Sequence, residues 1–369
     1  MKILHLLYES KDDYFGIGGV GIRAYEIYKH LRDRHDITLL CKKYIGAEDK
    51  EIEGFRHIFV GTESKSLTKT LLFYAYHASL FVKRYGDEFD IIIEEFSPAI
   101  PTFLHAFTKK PLILQVQGHT GRLYFRKYNP AYALVLSILE YLRPGFYDNF
   151  IFISSETLKK LFLGRKKFFE IIPSGVSPEL FTIPPDTGTY ILYLGRIDIC
   201  GKGLDILIKA YDKFFKAFPH IKLVIAGDGR DRERLKTQLT KISEDLRKNI
   251  VLVGWVSGNK KIEVIDNALF CVFPSRHEVQ SIATLEVMAR GKAVIVSDIP
   301  EFSYISRIGA GISFRTGDAL TLAESMEKLM TDNERRKMGE RGRDWVKNYT
   351  WDRIALKYEE FLHKVLERG

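Results

Sequence analysis

Cysteine is scarce: Cys41, Cys200 and Cys271 are the only three in 369 residues. An odd, widely spaced set in apolar or loop contexts offers neither a disulfide framework nor a metal cluster, and it predicts a reducing, intracellular setting. No stretch reaches the roughly 18 uninterrupted apolar residues that a membrane-spanning helix needs. The opening "MKILHLLYES" carries one lysine and a short apolar run. It reads as a first β-strand, too short for a secretory leader, so a cytoplasmic protein is expected, either soluble or peripheral on the inner face of a membrane. Internal repeats and low-complexity segments are absent. So are Asp-x-Asp triplets and His/Cys/Asp clusters at ligand spacing, and no metal is expected.

What is present is apolar and basic. Hydrophobic residues make up 46% of the chain, enough for buried cores, and 369 residues exceed what one core usually serves, so two domains are expected. Lys and Arg number 56 against 47 Asp and Glu, a formal +9 that suits nucleotides, phosphates or anionic lipid. Nucleic acid is not an expected partner, because the basic residues are scattered and form no recognised motif.

The chain opens as a β-α-β unit: "KILHLL", a glycine-rich turn leading into a helix, then "DITLLCK". Strand-like runs "FRHIFV", "FDIIIEE", "PLILQVQG", "NFIFISS" and "FFEIIPSG" follow, with helical segments at Ser66 to Tyr85 and Tyr132 to Leu142. Strands alternating with helices imply a parallel, doubly wound sheet. At "FTIPPDTGT" two prolines and a glycine interrupt the pattern, which places the domain boundary at residues 180/181. A second alternating series follows: "YILYLGR", a helix from Leu204 to Phe218, "IKLVIAGDG", a charged helix from Arg230 to Leu246, "IVLVGWVS", "LFCVFPS", a helix from Ile282 to Arg290, and "AVIVSD". In the tail, Trp351, Ile354, Ala355, Tyr358, Phe361, Leu362 and Val365 recur at helical spacing and predict an amphipathic helix.

Three stretches have the composition of a site. In the first turn, Gly16, Gly18, Gly19 and Gly21 let backbone N–H groups approach an anion at a helix N-terminus; a structural turn without ligand is the alternative. In "YLGRIDICGKG", Arg196 and Lys202 flank a glycine-bearing loop between a strand and a helix, which suits a diphosphate; a solvated basic loop is the alternative. In "SRHEVQSIATLE", Glu278 falls in a loop at the carboxyl end of a strand and Glu286 inside the helix that follows. Two carboxylates there can accept hydrogen bonds from sugar and ribose hydroxyls while the helix N–H groups hold negative charge. Ser281 as N-cap and Glu278 as a first-turn acid are the plainer reading.

These motifs resemble the family 4 (group 1) glycosyltransferases, retaining enzymes of the GT-B fold, over nearly the whole chain. The Glu-x7-Glu element matches at Glu278 and Glu286, "IIPSGVSPELF" is similar to I-P-N-G-V-D-x-x-x-F, and "LYLGRI…KG" to V-G-R-L…K-G. "LVIAGDG", "ARGKAVIVSD" and the terminal W…A…Y helix fit as well.

The resemblance implies two Rossmann-like domains facing a central cleft. An acceptor-side domain spans 1–180, with the terminal helix 351–369 packing back on it, and a donor-binding domain spans 181–350. It implies that Arg196 and Lys202 hold the diphosphate of a UDP- or GDP-sugar, Glu286 the ribose and Glu278 the sugar ring. Backbone around Ser281 and Ile282 holds phosphate, Val256 lies near the base, and Gly18 and Gly19 complete the phosphate site on closure. The implied chemistry is front-face, retaining transfer of a hexose-type sugar to a glycan or lipid-linked hydroxyl. The departing phosphate takes the acceptor proton, with no carboxylate nucleophile, metal or other cofactor.

Two positions depart from the family pattern. Val279, Gln280 and Ser281 stand where many relatives have glycines and an aromatic residue. Gln117 stands where many have histidine, and it can accept or donate hydrogen bonds but cannot shuttle a proton; His119 is the candidate substitute. Two alternatives follow: a catalytically silent sugar-nucleotide or glycan-binding subunit, and, more remotely, a UDP-N-acetylglucosamine 2-epimerase. Mixed aromatic and basic segments, "KSLTKTLLFYAYHASLFVKRYG" and "GRLYFRKYNPAYALVLSILEYLRPGFY", can lie on an anionic membrane surface, although such segments are more often core helices with solvated basic edges.

Overall fold

The computed structural model describes residues 1–12, 17–121, 124–161, 167–182, 188–331 and 334–368. Gly16 of the first turn and residues 183–187 of the expected connector lie outside them. The chain divides into two compact units, one of Met1–Ser174 with Trp351–Gly369, the other of Gly175–Thr350. The division falls six residues before the 180/181 position chosen from the prolines. Val176 and Leu180 explain the difference: the Val176 N–H donates to the Tyr349 carbonyl at 2.8 Å, and both side chains are buried in the core of the second unit.

The first unit runs β1 (Lys2–Leu6), α1 (Gly19–Lys29), β2 (Asp36–Lys42), β3 (Lys50–Ile52), β4 (Phe55–Val60), α2 (Leu67–Tyr85), β5 (Ile91–Glu95), β6 (Leu112–Val116), α3 (Tyr124–Lys127), α4 (Pro130–Leu142), β7 (Asn149–Phe152), α5 (Ser155–Lys160) and β8 (Phe168–Ile171). Its sheet has the order β3-β4-β2-β1-β5-β6-β7-β8, parallel except for the β3–β4 hairpin. That hairpin turns on Glu53 and Gly54, both at positive φ. β1 pairs with β2 on one side and β5 on the other, so strand order reverses between β1 and β5. Alternate residues Leu4, Leu6, Leu40 and Ile92 pack against Tyr74, Ala78 and Val82 of α2. Right-handed crossovers put α2 on one face of this sheet and α1 on the other, while α4 packs on α3 through Tyr124, Ala133 and Leu136.

The second unit runs β9 (Tyr190–Leu194), α6 (Leu204–Ala217), β10 (Lys222–Ala226), α7 (Arg232–Leu239), α8 (Glu244–Lys248), β11 (Ile250–Gly254), α9 (Gly258–Asp266), β12 (Ala268–Phe273), α10 (Ile282–Ala289), β13 (Val294–Ser297), α11 (Ser303–Ile308), β14 (Gly311–Phe314), α12 (Ala319–Thr331) and α13 (Glu334–Val346). The expected single charged helix from Arg230 to Leu246 is instead α7 and α8, because Ser243 is extended, at ψ 149°. The sheet order is β11-β10-β9-β12-β13-β14, and its reversal lies between β9 and β12. Period-2 side chains build both faces: Ile191, Tyr193, Leu223, Ile225, Phe270 and Val272 on one, Leu192, Leu194, Val224, Ala226, Cys271 and Phe273 on the other.

The terminal helix, α14 (Trp351–Leu366), buries the seven residues whose spacing marked it as amphipathic, and it belongs to the first unit. Tyr358 meets Tyr28 of α1 edge-on at 6.1 Å and Phe361 stacks on Phe168 of β8 at 5.2 Å.

Candidate active site

In open α/β sheets ligands bind beyond the carboxyl ends of the strands where strand order reverses, because loops diverge there and leave a crevice. In the second unit that place lies beyond β9 and β12. The loop after β9 carries Arg196 and Lys202, and the loop after β12 carries Ser275 and Glu278. Lys202 Nζ donates to Glu278 Oε1 at 2.5 Å, and the Ser275 hydroxyl donates to the same oxygen at 3.0 Å. Two residues 76 apart in sequence are thus joined, and Glu278 is 8% exposed. Burial, reinforced by the Glu278 charge, raises the Tyr193 and Tyr304 hydroxyls well above their ordinary pKa, so neither ionises near neutrality.

Gly203 makes this approach of loops possible. It caps α6 at φ +69°, and a Cβ there would stand 2.0 Å from the Pro274 carbonyl oxygen. Arg196 is exposed and its guanidinium has no partner among the described residues; its carbonyl accepts from the Tyr193 hydroxyl at 2.7 Å and from the Asp198 N–H at 3.0 Å.

Ser281 does cap α10, its hydroxyl accepting from the Thr284 N–H at 3.2 Å. The backbone N–H groups of Ser281 and Ile282 have no partner among the described residues and stay available to an anion. One turn on, Glu286 accepts from Lys261 Nζ of α9 at 2.5 Å. Val256 is buried at the carboxyl end of β11, next to Trp255, which is 61% exposed. Sequence reasoning missed Lys261, Ser275 and Trp255; of these only Trp255, a large aromatic directly after an apolar strand, left a signal.

In the first unit the glycine turn has an unexpected occupant. Glu9 Oε2 accepts from the N–H of Gly18 at 2.9 Å and of Gly21 at 2.8 Å. A Cβ on Gly18 would lie 2.9 Å from Glu9 Oε1, whereas one on Gly19 meets nothing within 4 Å. Gly18 is therefore small to admit Glu9, and its N–H is already taken. Desolvation raises the Glu9 pKa, and the hydrogen bonds from Gly21 and Gly18 oppose that rise.

Beyond β6, Gln117 and His119 find different carboxylates. Gln117 Nε2 donates to Glu95 Oε1 at 2.8 Å. His119 Nδ1 lies 3.4 Å from Glu140 Oε2, a carboxylate also holding the N–H groups of Thr120 and Gly121. Glu95 and Glu140 were not read from sequence. "DIIIEE", with charge at the end of a buried strand, was the signal for Glu95; Glu140 sits in an apolar helix and gave none.

Among the described residues one trio of metal-ligand type exists, His35, Glu359 and His363, its ligand atoms within 4.8 Å of one another. Sequence spacing conceals it, since His35 and Glu359 are 324 residues apart. Glu359 already accepts from His35 at 2.5 Å and from both ends of the Arg34 fork at 3.0 and 2.7 Å. These bonds fasten α14 to the turn before β2.

Residues 17–180 match the family described as Glycosyltransferase Family 4, and residues 181–345 match Glycosyl transferases group 1. The chain belongs to the family 4, group 1 glycosyltransferases. Among relatives of this glycosyltransferase family is the phosphatidyl-myo-inositol mannosyltransferase of Mycobacterium leprae (strain TN), 29% identical over 54% of this chain and 54% of its own. Another is the lipopolysaccharide 1,2-N-acetylglucosaminetransferase of Salmonella typhimurium, 26% identical over 64% and 68%. The chain thus spans about half the length of the curated mannosyltransferases it matches. Solved structures show the GT-B fold. Sucrose-phosphate synthase from Thermosynechococcus elongatus superposes with TM-score 0.82 at 17% identity, covering 100% of this chain and 99% of that one. Anabaena Alr3699/HepE in complex with UDP and glucose superposes with TM-score 0.75 at 16% identity, covering 98% and 99%.

Proposed function

We propose that this chain is a retaining, metal-independent glycosyltransferase that moves a hexose-type sugar from a UDP- or GDP-sugar to a hydroxyl of a glycan or lipid-linked acceptor. The observation that carries the proposal is the junction of Lys202 and Glu278 across the β9/β12 reversal, beside an Arg196 guanidinium and N–H groups of Ser281 and Ile282 that have no partner among the described residues. The Anabaena neighbour's binding of UDP and glucose supports the choice of ligand.

In the reaction the bond from the anomeric carbon to the diphosphate oxygen breaks and its electron pair leaves with phosphate. Arg196, Lys202 and the α10 N-terminus stabilise that growing charge. Glu278 holds the sugar ring, Glu286 the ribose and the backbone near Val256 the base. The acceptor oxygen attacks the face from which phosphate departs, and its proton passes to the leaving phosphate oxygen. Before donor binding, Glu278 keeps Lys202 placed and Lys261 keeps Glu286 placed; ribose and sugar hydroxyls then share these carboxylates.

The acceptor side is proposed to meet an anionic lipid surface. The exposed face of α4 presents Leu134, Val135, Ile138, Tyr141 and Leu142, and the helix's one charged residue, Glu140, is buried. α2 exposes Leu72, Phe73, Tyr76 and Leu80 together with Lys69, Lys83 and Arg84, and the exposed Lys65 just precedes it. No helix among the described residues is long and apolar enough to cross a membrane.

Gln117 favours a second reading, a sugar-nucleotide-binding subunit without turnover. One assay separates the two: UDP- and GDP-sugars offered with lipid-linked acceptors in EDTA. Product retaining the donor's anomeric configuration is expected. Binding without product across the acceptors supports the silent subunit, and activity only after metal addition overturns the metal-independent mechanism.

A further inference from the structure

Glu95 closes β5 at the strand-order reversal of the first sheet, next to His5 of β1 and Gln115 of β6, and is 2% exposed. Its Oε1 accepts from Gln115 Nε2 and, at 2.8 Å, from Gln117 Nε2, and lies 3.3 Å from His5 Nε2.

An ionised carboxylate only accepts hydrogen bonds. A carboxamide facing it must therefore present its NH2 end, and its carbonyl oxygen then points the other way. For Gln117 that oxygen has no partner among the described residues, and the side chain is half-buried at the carboxyl end of the sheet.

We infer that Glu95 is a positioning residue: it locks the Gln117 amide so that only a hydrogen-bond acceptor faces the ligand side, and that acceptor takes the proton of a substrate hydroxyl. The inference rests on the transferase reading for its substrate, and on Glu95 and Gln117 alone for its geometry. It also accounts for glutamine at a position where the family resemblance implies histidine. A neutral imidazole donating one N–H to Glu95 leaves its other nitrogen as an acceptor, so both residues present the same polarity. The hydrogen bond is charge-assisted, which makes the orientation firm.

The test exploits the four glutamines of the chain, Gln115, Gln117, Gln238 and Gln280. With glutamine side chains labelled with nitrogen-15 in the full-length protein, the Gln117 NH2 protons are expected to exchange with solvent at least about tenfold more slowly than those of Gln238, whose amide has no partner among the described residues. In Glu95→Leu, which leaves the Gln117 NH2 no acceptor at that position, that protection is lost. Gln117 exchange as fast as Gln238 in the wild-type protein, or protection unchanged in Glu95→Leu, overturns the inference without any substrate. If Glu95→Leu does not fold, the wild-type comparison still decides.

In transfer assays Glu95→Gln and Gln117→Leu are expected to lower kcat at least about tenfold with little change in donor KM, and Gln117→His to restore it. Protected Gln117 protons without transfer by the wild-type protein would leave the positioning intact and remove the transferase reading. Full transfer by Glu95→Gln would remove the role in the reaction.

Discussion

Single residues shape the proposed donor site through the partners they lack as much as those they have. Among the described residues the Arg196 guanidinium is unpaired and Lys202 has one carboxylate, so both can turn to a diphosphate. Replacing Glu286 with alanine removes the proposed ribose acceptor and frees Lys261; nucleotide affinity is expected to fall about tenfold, measurable by calorimetry. Gly203→Ala is expected to destabilise the second unit by at least about 1–3 kcal/mol, because φ +69° and the Pro274 carbonyl both oppose a Cβ. Chemical denaturation checks this, and an unchanged midpoint would contradict the packing described. The Glu278–Glu286 spacing was legible in sequence because both residues belong to one strand-loop-helix segment. Glu9, Glu95 and Glu140 were not legible as site residues, because each acquires its meaning from partners that only the folded sheet brings near. The expected phosphate role of the glycine turn is also narrowed, since Glu9 already holds Gly18 and Gly21.

At the scale of elements, periodicity was an effective guide. Buried parallel strands such as β9 and β13 read as continuous apolar runs, and α14 read as amphipathic down to each buried residue. The short edge strand β3 and the break between α7 and α8 escaped, because both depend on local turn geometry within polar sequence. α14 also carries a pH dependence. Burial lowers the His35 pKa, and although burial alone raises that of Glu359, hydrogen bonds from Arg34 and His35 bring it below its usual value. Both groups bind protons more tightly in the unfolded chain, so their contribution is complete above about pH 6.5 and is lost as pH falls, His35 first and Glu359 later. The fastening is partly exposed, so solvent and salt screen it. The protection factor of α14, taken relative to the intrinsic exchange rate at each pH, is expected to fall between about pH 6.5 and pH 4 in the wild type. Glu359→Gln should flatten that response; an identical profile in the variant would contradict the assignment.

For the whole molecule, two α/β units and a basic excess of +9 were apparent from composition and alternation. The surface proposed to meet lipid was not, since exposed and buried apolar residues of α4 are indistinguishable until the helix has a neighbour. Flotation with anionic vesicles is expected to carry the wild-type protein, and Leu134→Glu with Ile138→Glu to lower the bound fraction several-fold at unchanged melting temperature. Equal flotation of the variant would move the lipid contact elsewhere. The central claim, a donor site built on Lys202 and Glu278, is tested most directly by calorimetric titration of UDP, GDP and their common sugars in EDTA against wild type and Lys202→Ala. One nucleotide is expected to bind the wild type and to bind the variant at least about tenfold more weakly. Equal affinity in the two proteins, or binding that appears only when a metal is restored, would contradict it.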